Sequence, residues 1–236
     1  MRLLLRGVKY NKIIIYIRRS KVSAKNVLLN FEDIDTEEKA YWLGFLYADG
    51  SVGSKEDKIE LGLAEKDLEH IKKFKAFMRI KNKIGYRPKT KSYRISFRSE
   101  KCKKDLISKG CVPKKSLILD FPSEKQVPRD LIRHFIRGYF DGDGWFTNTK
   151  NCFQVGIIGT EKFIIGFLTC IENINKNCKI FEVHRRDGAK RYIFGAHNDV
   201  FYFLNWIYQD ATIYLERKHE KYLDFIKNGS QYHKKV

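Results

Sequence analysis

The sequence predicts an α+β chain of two halves that repeat one element order around a pair of apolar helices. Three observations predict it. One pattern occurs twice, as Tyr41-Trp42-Leu43-Gly44-Phe45-Leu46-Tyr47-Ala48-Asp49-Gly50 and as Phe135-Ile136-Arg137-Gly138-Tyr139-Phe140-Asp141-Gly142-Asp143-Gly144. Gly44 falls on Gly138, Asp49 on Asp143 and Gly50 on Gly144, each pair 94 residues apart. After each copy come segments in which apolar and polar residues alternate, the period of a half-buried antiparallel strand. A chain of 236 residues is long enough for a real core, as one large domain or two small ones. A mid-helix glycine costs about 1 kcal/mol against alanine. Gly44 and Gly138 therefore have a packing purpose, the close approach of two helix backbones. Such packing brings Asp49 and Asp143 together at one end.

Residues 1–31 hold eight Lys or Arg and no Asp or Glu. They read as a basic leader of unassigned structure, suited to a DNA-contacting arm or an organellar transit peptide. The first half is expected over 32–122 and the second over 123–236. Asp35 with Glu38 predicts a capping box that opens a helix running to about Ala48. Asp49 then sits at the helix C-terminus, where the dipole disfavours an acid. A carboxylate in that position points to a cation nearby. Short strands are expected at 51–53 and 58–64, the second with Ile59, Leu61 and Leu63 on one face. An amphipathic helix follows over 66–79. A hairpin is expected from 83–91 and 92–98, with Tyr93, Ile95 and Phe97 inward, and then a helix over 101–108 ended by Gly110. A connector rich in Pro and Lys leads to the second copy, where Pro128 suits the first helical turn. The order then repeats: strands at 145–147 and 153–158, a helix over 161–175, strands at 178–186 and 190–197 joined by Asp187-Gly188, and helices over 200–208 and 213–227. The 94-residue offset holds to the second strand and slips to 99 at Tyr93 and Tyr192, which predicts a five-residue insertion in the second half.

Net charge is +19, from 47 Lys and Arg against 28 Asp and Glu. An excess of that size argues for a polyanionic partner, nucleic acid before anionic membrane. The five cysteines form no C-x-x-C pair, so no zinc site or disulfide framework is expected, which suits a reducing, intracellular compartment. No apolar run approaches the ~18 residues of a membrane span, and no membrane partner is expected. No nucleotide-binding glycine loop or Ser-His-Asp set is present.

The two motifs and the order of elements around them resemble the LAGLIDADG homing endonucleases. Gly138-Tyr139-Phe140-Asp141-Gly142-Asp143-Gly144 is close to the family pattern, and the resemblance extends over about residues 35–227. It implies two pseudo-symmetric αββαββα halves packed through the paired helices, with antiparallel sheets forming a DNA-binding saddle. It also implies that Asp49 and Asp143 bind divalent metal, Mg²⁺ with Mn²⁺ as substitute, over the DNA backbone. Tyr47 stands where the second copy has Asp141, so Asp141 is not expected among the paired ligands. Basic or polar partners at the ends of the second and fourth strands would be Glu65, Lys66 and Arg98 in one half, Thr160 and His197 in the other. Of these, Lys66 is the expected catalytic residue. The asymmetric pair Lys66 and Thr160 implies unequal cutting of the two strands.

The polar sheet faces are the expected DNA contacts: Lys58, Glu60, Ser92, Arg94, Ser96 and Arg98 in the first half. In the second they are Gln154, Arg191, His197 and also Glu182, His184 and Arg186. A two-stranded ribbon fits the major groove, where Arg, Gln and Glu read base edges. Lys218 in the closing helix is expected to reach a phosphate. The predicted function is a monomeric, pseudo-twofold endonuclease acting on a long, roughly palindromic duplex site and leaving short 3′ overhangs, as part of a mobile element. The alternatives are a maturase that binds intron RNA and a DNA-binding regulator without cleavage. The termini lack intein splicing residues, so a free-standing or intron-encoded form is expected.

Overall fold

The computed structural model describes residues 29–149, 152–174, 180–184, 190–194 and 197–232. Helix α1 (Glu37–Asp49) is buried on every side from Ala40 to Tyr47. A helix apolar all round belongs inside a core rather than on its surface. Its N-cap is Thr36, whose hydroxyl accepts the Lys39 amide at 3.2 Å. This corrects the expected Asp35 box: Asp35 instead pairs with the Lys39 ammonium at 2.8 Å. Strands β1 (Gly50–Val52), β2 (Lys58–Ala64), β3 (Gly85–Arg87) and β4 (Ser92–Arg98) form an antiparallel sheet in the order β1-β2-β4-β3. Helices α2 (Leu68–Phe77) and α3 (Glu100–Ser108) complete the half.

The second half repeats this with α4 (Ile132–Asp143), β5 (Trp145–Thr149), β6 (Cys152–Gly159), α5 (Glu161–Ile174), β7 (Ile180–His184), β8 (Lys190–Phe194), α6 (His197–Tyr208) and α7 (Glu216–Tyr232). Its sheet order is β5-β6-β8-β7. Matching registers resolve the five-residue slip into two steps. Gly62 pairs with Arg94 and Gly156 with Ile193; Gly85 pairs with Arg94 and Phe181 with Ile193. The offset is thus 94 at β2 and β6, 96 at β3 and β7, and 99 at β4 and β8.

Several expected boundaries move. Strand β3 has three residues because Pro88, which has no amide proton, opens a 3-10 turn at 88–90. Residues 65–67 form a 3-10 turn before α2. Helix α6 opens at His197, which therefore does not end the fourth strand. Helix α7 starts at Glu216 and not at 213, because the chain just before it is bonded elsewhere. The Ile213 carbonyl accepts Arg137 Nε at 2.9 Å, and the Leu215 amide donates to Asp141 at 2.7 Å. Phe31, assigned from sequence to the leader, is fully buried in the first half's core. Residues 1–28 of the leader, the Asp187-Gly188 turn and Arg186 lie outside the described residues. No helix among the described residues is long and apolar enough to cross a membrane.

The two halves meet where α1 packs along α4. A Cβ added at Gly44 would lie 2.0 Å from the Phe135 carbonyl oxygen, and one at Gly138 would lie 1.9 Å from that of Tyr41. Each glycine thus admits the backbone of the opposite helix. Gly44→Ala and Gly138→Ala are each expected to lower the unfolding free energy by ~1–3 kcal/mol or more, the cost of overpacking against an unyielding backbone. Urea denaturation measures this, and a midpoint equal to that of the unsubstituted chain would contradict backbone contact at the glycine.

Candidate active site and nucleic-acid interface

The helix contact sets the two acids side by side. Asp49 ends α1 and Asp143 ends α4. Gly142 keeps the gap narrow: a Cβ there would meet Ala48 Cβ at 2.3 Å and Asp49 Oδ2 at 3.1 Å. Asp49 keeps access to water, yet the protein mass around it and the Asp143 carboxylate raise its pKa to about 6. Burial raises that of Asp143 as well. Two carboxylates that repel each other at unfavourable helix ends make a site short of positive charge.

Two lysines supply part of that charge, one from each half. Lys115, in the connector after α3, donates from Nζ to the Gly50 carbonyl. Lys218, in α7, donates to the Gly144 carbonyl at 2.5 Å. Gly50 and Gly144 are equivalent in the repeat, so the lysines occupy related places. Both draw the acids' pKa values down, against the upward push of burial. Their settings differ. Lys115 is half-buried, whereas Lys218 is 3% exposed and also donates to the Phe140 carbonyl at 2.5 Å, closing the C-terminus of α4. Burial lowers the pKa of Lys218 to about 8, with Asp141 opposing. Lys218, expected to reach a phosphate, has its ammonium on helix-end carbonyls beneath the acids. Lys115 belongs to the Pro- and Lys-rich connector, and its place beside the acids follows from how that connector folds back over α1. A cavity of about 490 Å³ opens beside the pair, lined by Lys115, Leu117, Tyr139, Asp143 and Thr160.

Asp141 faces away from this cavity. It is fully buried and accepts from Tyr41 Oη at 2.8 Å, Tyr208 Oη at 2.5 Å and the Leu215 amide. Burial raises its pKa despite these donors and the Lys218 charge. Beside it Arg137, fully buried, bonds to the carbonyls of Ile207 and Ile213 and to Glu37 at 2.6 Å. These two side chains tie the C-terminal helices to the central pair, a role that no local pattern announced.

The other expected partners are placed as follows. Glu65 and Lys66 are exposed on the turn after β2. Thr160 lines the cavity, but its hydroxyl accepts the Phe163 amide at 3.1 Å and donates to the Leu119 carbonyl. Arg98, exposed at the end of β4, pairs with Glu56 at 2.7 Å. On the first sheet Ile59, Leu61, Leu63, Ile95 and Phe97 are buried, which leaves Lys58, Glu60, Ser92, Arg94, Ser96 and Arg98 on the opposite face. On the second, Gln154 is in register with Thr147, and Arg191 with Ile158. Glu182 is in register with Tyr192, and His184 with Lys190. Edge strand β7 has apolar residues at both parities, and its sequence alone did not fix which face was which. Among the described residues no cluster of three His, Cys, Asp or Glu is present. A metal at this site would have two protein carboxylates, with water and substrate oxygens completing its shell. That donor set fits Mg²⁺, which keeps several waters and prefers carboxylate plus phosphate.

Paired acid-tipped helices between two antiparallel sheets define the LAGLIDADG fold, and this chain has it. Solved structures similar to it include the LAGLIDADG meganuclease I-AabMI bound to uncleaved DNA, with TM-score 0.58 and 13% identity, covering 83% of this chain and 91% of that one. The LAGLIDADG homing endonuclease I-LtrWI bound to target DNA has TM-score 0.56 and 13% identity, covering 84% and 93%. Full-length DUF199/WhiA from Thermatoga maritima has TM-score 0.54 and 15% identity, covering 83% of this chain but 62% of that one. At these identities the likeness is one of fold. No family model matches the sequence. A probable translation initiation factor IF-2 from Methanocaldococcus jannaschii is 26% identical over 166 residues, 64% of this chain and 13% of that protein's length.

Asp49 holds its proton more tightly in the folded chain than its ordinary pKa of 3.8 would allow. Between pH ~4 and ~6 the folded state thus binds more protons than the unfolded one, and this carboxylate lowers stability as pH rises. Asp49→Asn is expected to raise the thermal midpoint of the metal-free protein at about pH 7.5 and to leave it unchanged near pH 4. Equal midpoints at the higher pH would show that the carboxylate is not repelled there.

Proposed function

We propose that this chain is a site-specific double-strand DNA endonuclease that hydrolyses one phosphodiester on each strand, using Mg²⁺ or, in its place, Mn²⁺. The observation that carries this reading is the pair Asp49 and Asp143, held together by backbone-packed helices and flanked by one lysine from each half. The basic sheet face beside it and the net charge of +19 support duplex DNA as substrate. The DNA complexes of I-AabMI and I-LtrWI on the same fold support it too.

In this reading Asp49 and Asp143 hold the cation between the helix ends and set where the scissile phosphates lie. The metal, when bound, stabilises the attacking and leaving oxygens of an in-line displacement. Lys115 lines the open cavity with Asp143, and its ammonium, held at the Gly50 carbonyl, offsets the charge that develops on a phosphate nearby. Lys218 offsets the two acids and the α4 C-terminus from beneath. Lys66, exposed on the turn after β2, acts as the catalytic base-side partner of the attacking water, with Arg98 as a further polar partner that contacts DNA. The chain acts as a monomer whose halves cover the two halves of one long site. A cleavage-free DNA-binding regulator is the second reading, because DUF199/WhiA has this fold and is described by its LAGLIDADG domain rather than as an endonuclease.

Asp49→Asn and Asp143→Asn are each expected to abolish cutting of a cognate duplex in Mg²⁺ while retaining duplex binding. Lys115→Met is expected to slow cutting by roughly 10²-fold or more, the scale on which one positioned electrostatic group acts. Cleavage of a randomised duplex library, in Mg²⁺ and separately in Ca²⁺, tests the whole reading. Selective binding without cutting in Mg²⁺ or Mn²⁺ would favour the regulator. Affinity for RNA carrying intron sequence, without selective duplex binding, would favour the maturase.

The phosphate contacts should also appear as salt dependence. Binding is expected to weaken by orders of magnitude between ~50 and ~200 mM salt through counterion release. A flat dependence would count against a duplex lying on the basic face.

A further inference from the structure

We infer that the first sheet reads one guanine·cytosine pair through Arg94 held in aim by Glu60, and that the second sheet lacks this reader. The two half-sites then differ at positions related by the pseudo-twofold axis. The inference rests on the duplex-binding reading above and deepens it.

Arg94 lies on β4 directly across from Gly62 on β2. With no side chain at Gly62, the arginine can lie across the strand: a Cβ there would touch its Nε at 3.5 Å and Cγ at 3.9 Å. Its Nη1 donates to Glu60 Oε1, and Glu60 Oε2 takes the Lys58 ammonium at 2.9 Å. The Glu60 side chain is 14% exposed and that of Arg94 34%. Arg94 Nε is buried without a hydrogen-bond partner. The stem of the arginine is therefore covered and its forked end faces outward.

The chemistry of that end is specific. A guanidinium has five N–H donors, and Glu60 takes one. A bidentate contact from Arg to guanine O6 and N7 is the commonest specific reading in the major groove, and Glu accepts from cytosine N4. An acid on a DNA-facing sheet repels phosphate unless cations offset it. Here Lys58 and Arg94 do so and leave the trio with net charge +1, from two cations and one anion. If the trio only braced the sheet, its contribution would be small, since partly exposed ion pairs contribute ~0–1 kcal/mol.

The second half does not repeat the arrangement. Gly156 pairs with Ile193 where Gly62 pairs with Arg94, and Gln154 takes the place of Glu60. The position above Gly156 is filled by the Trp145 ring, whose nearest carbon would lie 2.0 Å from an added Cβ. An aliphatic residue stands where the first half has its arginine, and a glutamine where it has the carboxylate.

The test is selection of bound duplexes from a randomised library by the full chain in Ca²⁺, with Arg94→Ala, Arg94→Lys and Glu60→Gln in parallel. The unsubstituted chain is expected to enrich guanine·cytosine at one position of one half-site and not at its dyad mate. Replacing that pair by adenine·thymine should weaken binding roughly 5- to 150-fold. Arg94→Ala and Arg94→Lys should lose the preference, the lysine variant while keeping charge and fold. Glu60→Gln should narrow it at the same position. Full guanine preference in Arg94→Lys, the same preference at both dyad-related positions, or unchanged discrimination in Glu60→Gln would overturn the inference. Failure of the unsubstituted chain to select any duplex would overturn the duplex-binding reading itself.

Discussion

Everything at the centre of this molecule depends on two helix backbones touching. Gly44 and Gly138 each receive a carbonyl of the facing helix, and no residue with a side chain leaves that room. The closeness sets the distance between the helix ends and therefore between Asp49 and Asp143. It also makes α1 a shared core element, buried all round because each half packs on it. Architecture and candidate chemistry thus have one geometric cause.

The electrostatics follow from that closeness. Two acids at the C-terminal ends of parallel-tipped helices face each other's charge and two unfavourable dipoles. Lys115 and Lys218 reduce the conflict without removing it, as the raised pKa of Asp49 records. What remains is a pair of carboxylates whose mutual repulsion is only partly offset.

Pseudo-symmetry is broken in places that share a logic. Tyr47 bonds to the Lys109 carbonyl, whereas its counterpart Asp141 gathers Tyr41, Tyr208 and the Leu215 amide beneath Lys218. Arg137 has Leu43 as its counterpart and anchors chain beyond α6 that has no equal in the first half's end. These buried polar groups attach the second half's last helices to the core. On the sheets the asymmetry lies in what faces outward, charged around Arg94 and aromatic around Trp145.

Much of this was legible in the sequence. The duplicated motif carried the helix pair, the small residues at its contact and the acids at its tips, because a repeat at constant spacing reports equivalent positions without any structure. Period-two alternation located β2, β4 and β6 closely, since each has one buried face. It was less informative on β7, whose sequence has apolar residues at both parities. The Thr36 cap was not singled out because Asp35 beside it is an equally good capping residue. The late start of α7 and the burial of Lys218 were not legible because they depend on groups distant in sequence. The sequence by itself determined the elements and the paired acids, since those rest on local periodicity and repetition. Only the tertiary structure decided which cations stand beside the acids, because a lysine's role follows from where the chain returns, and Lys115 and Lys218 return from opposite halves to equivalent glycine carbonyls.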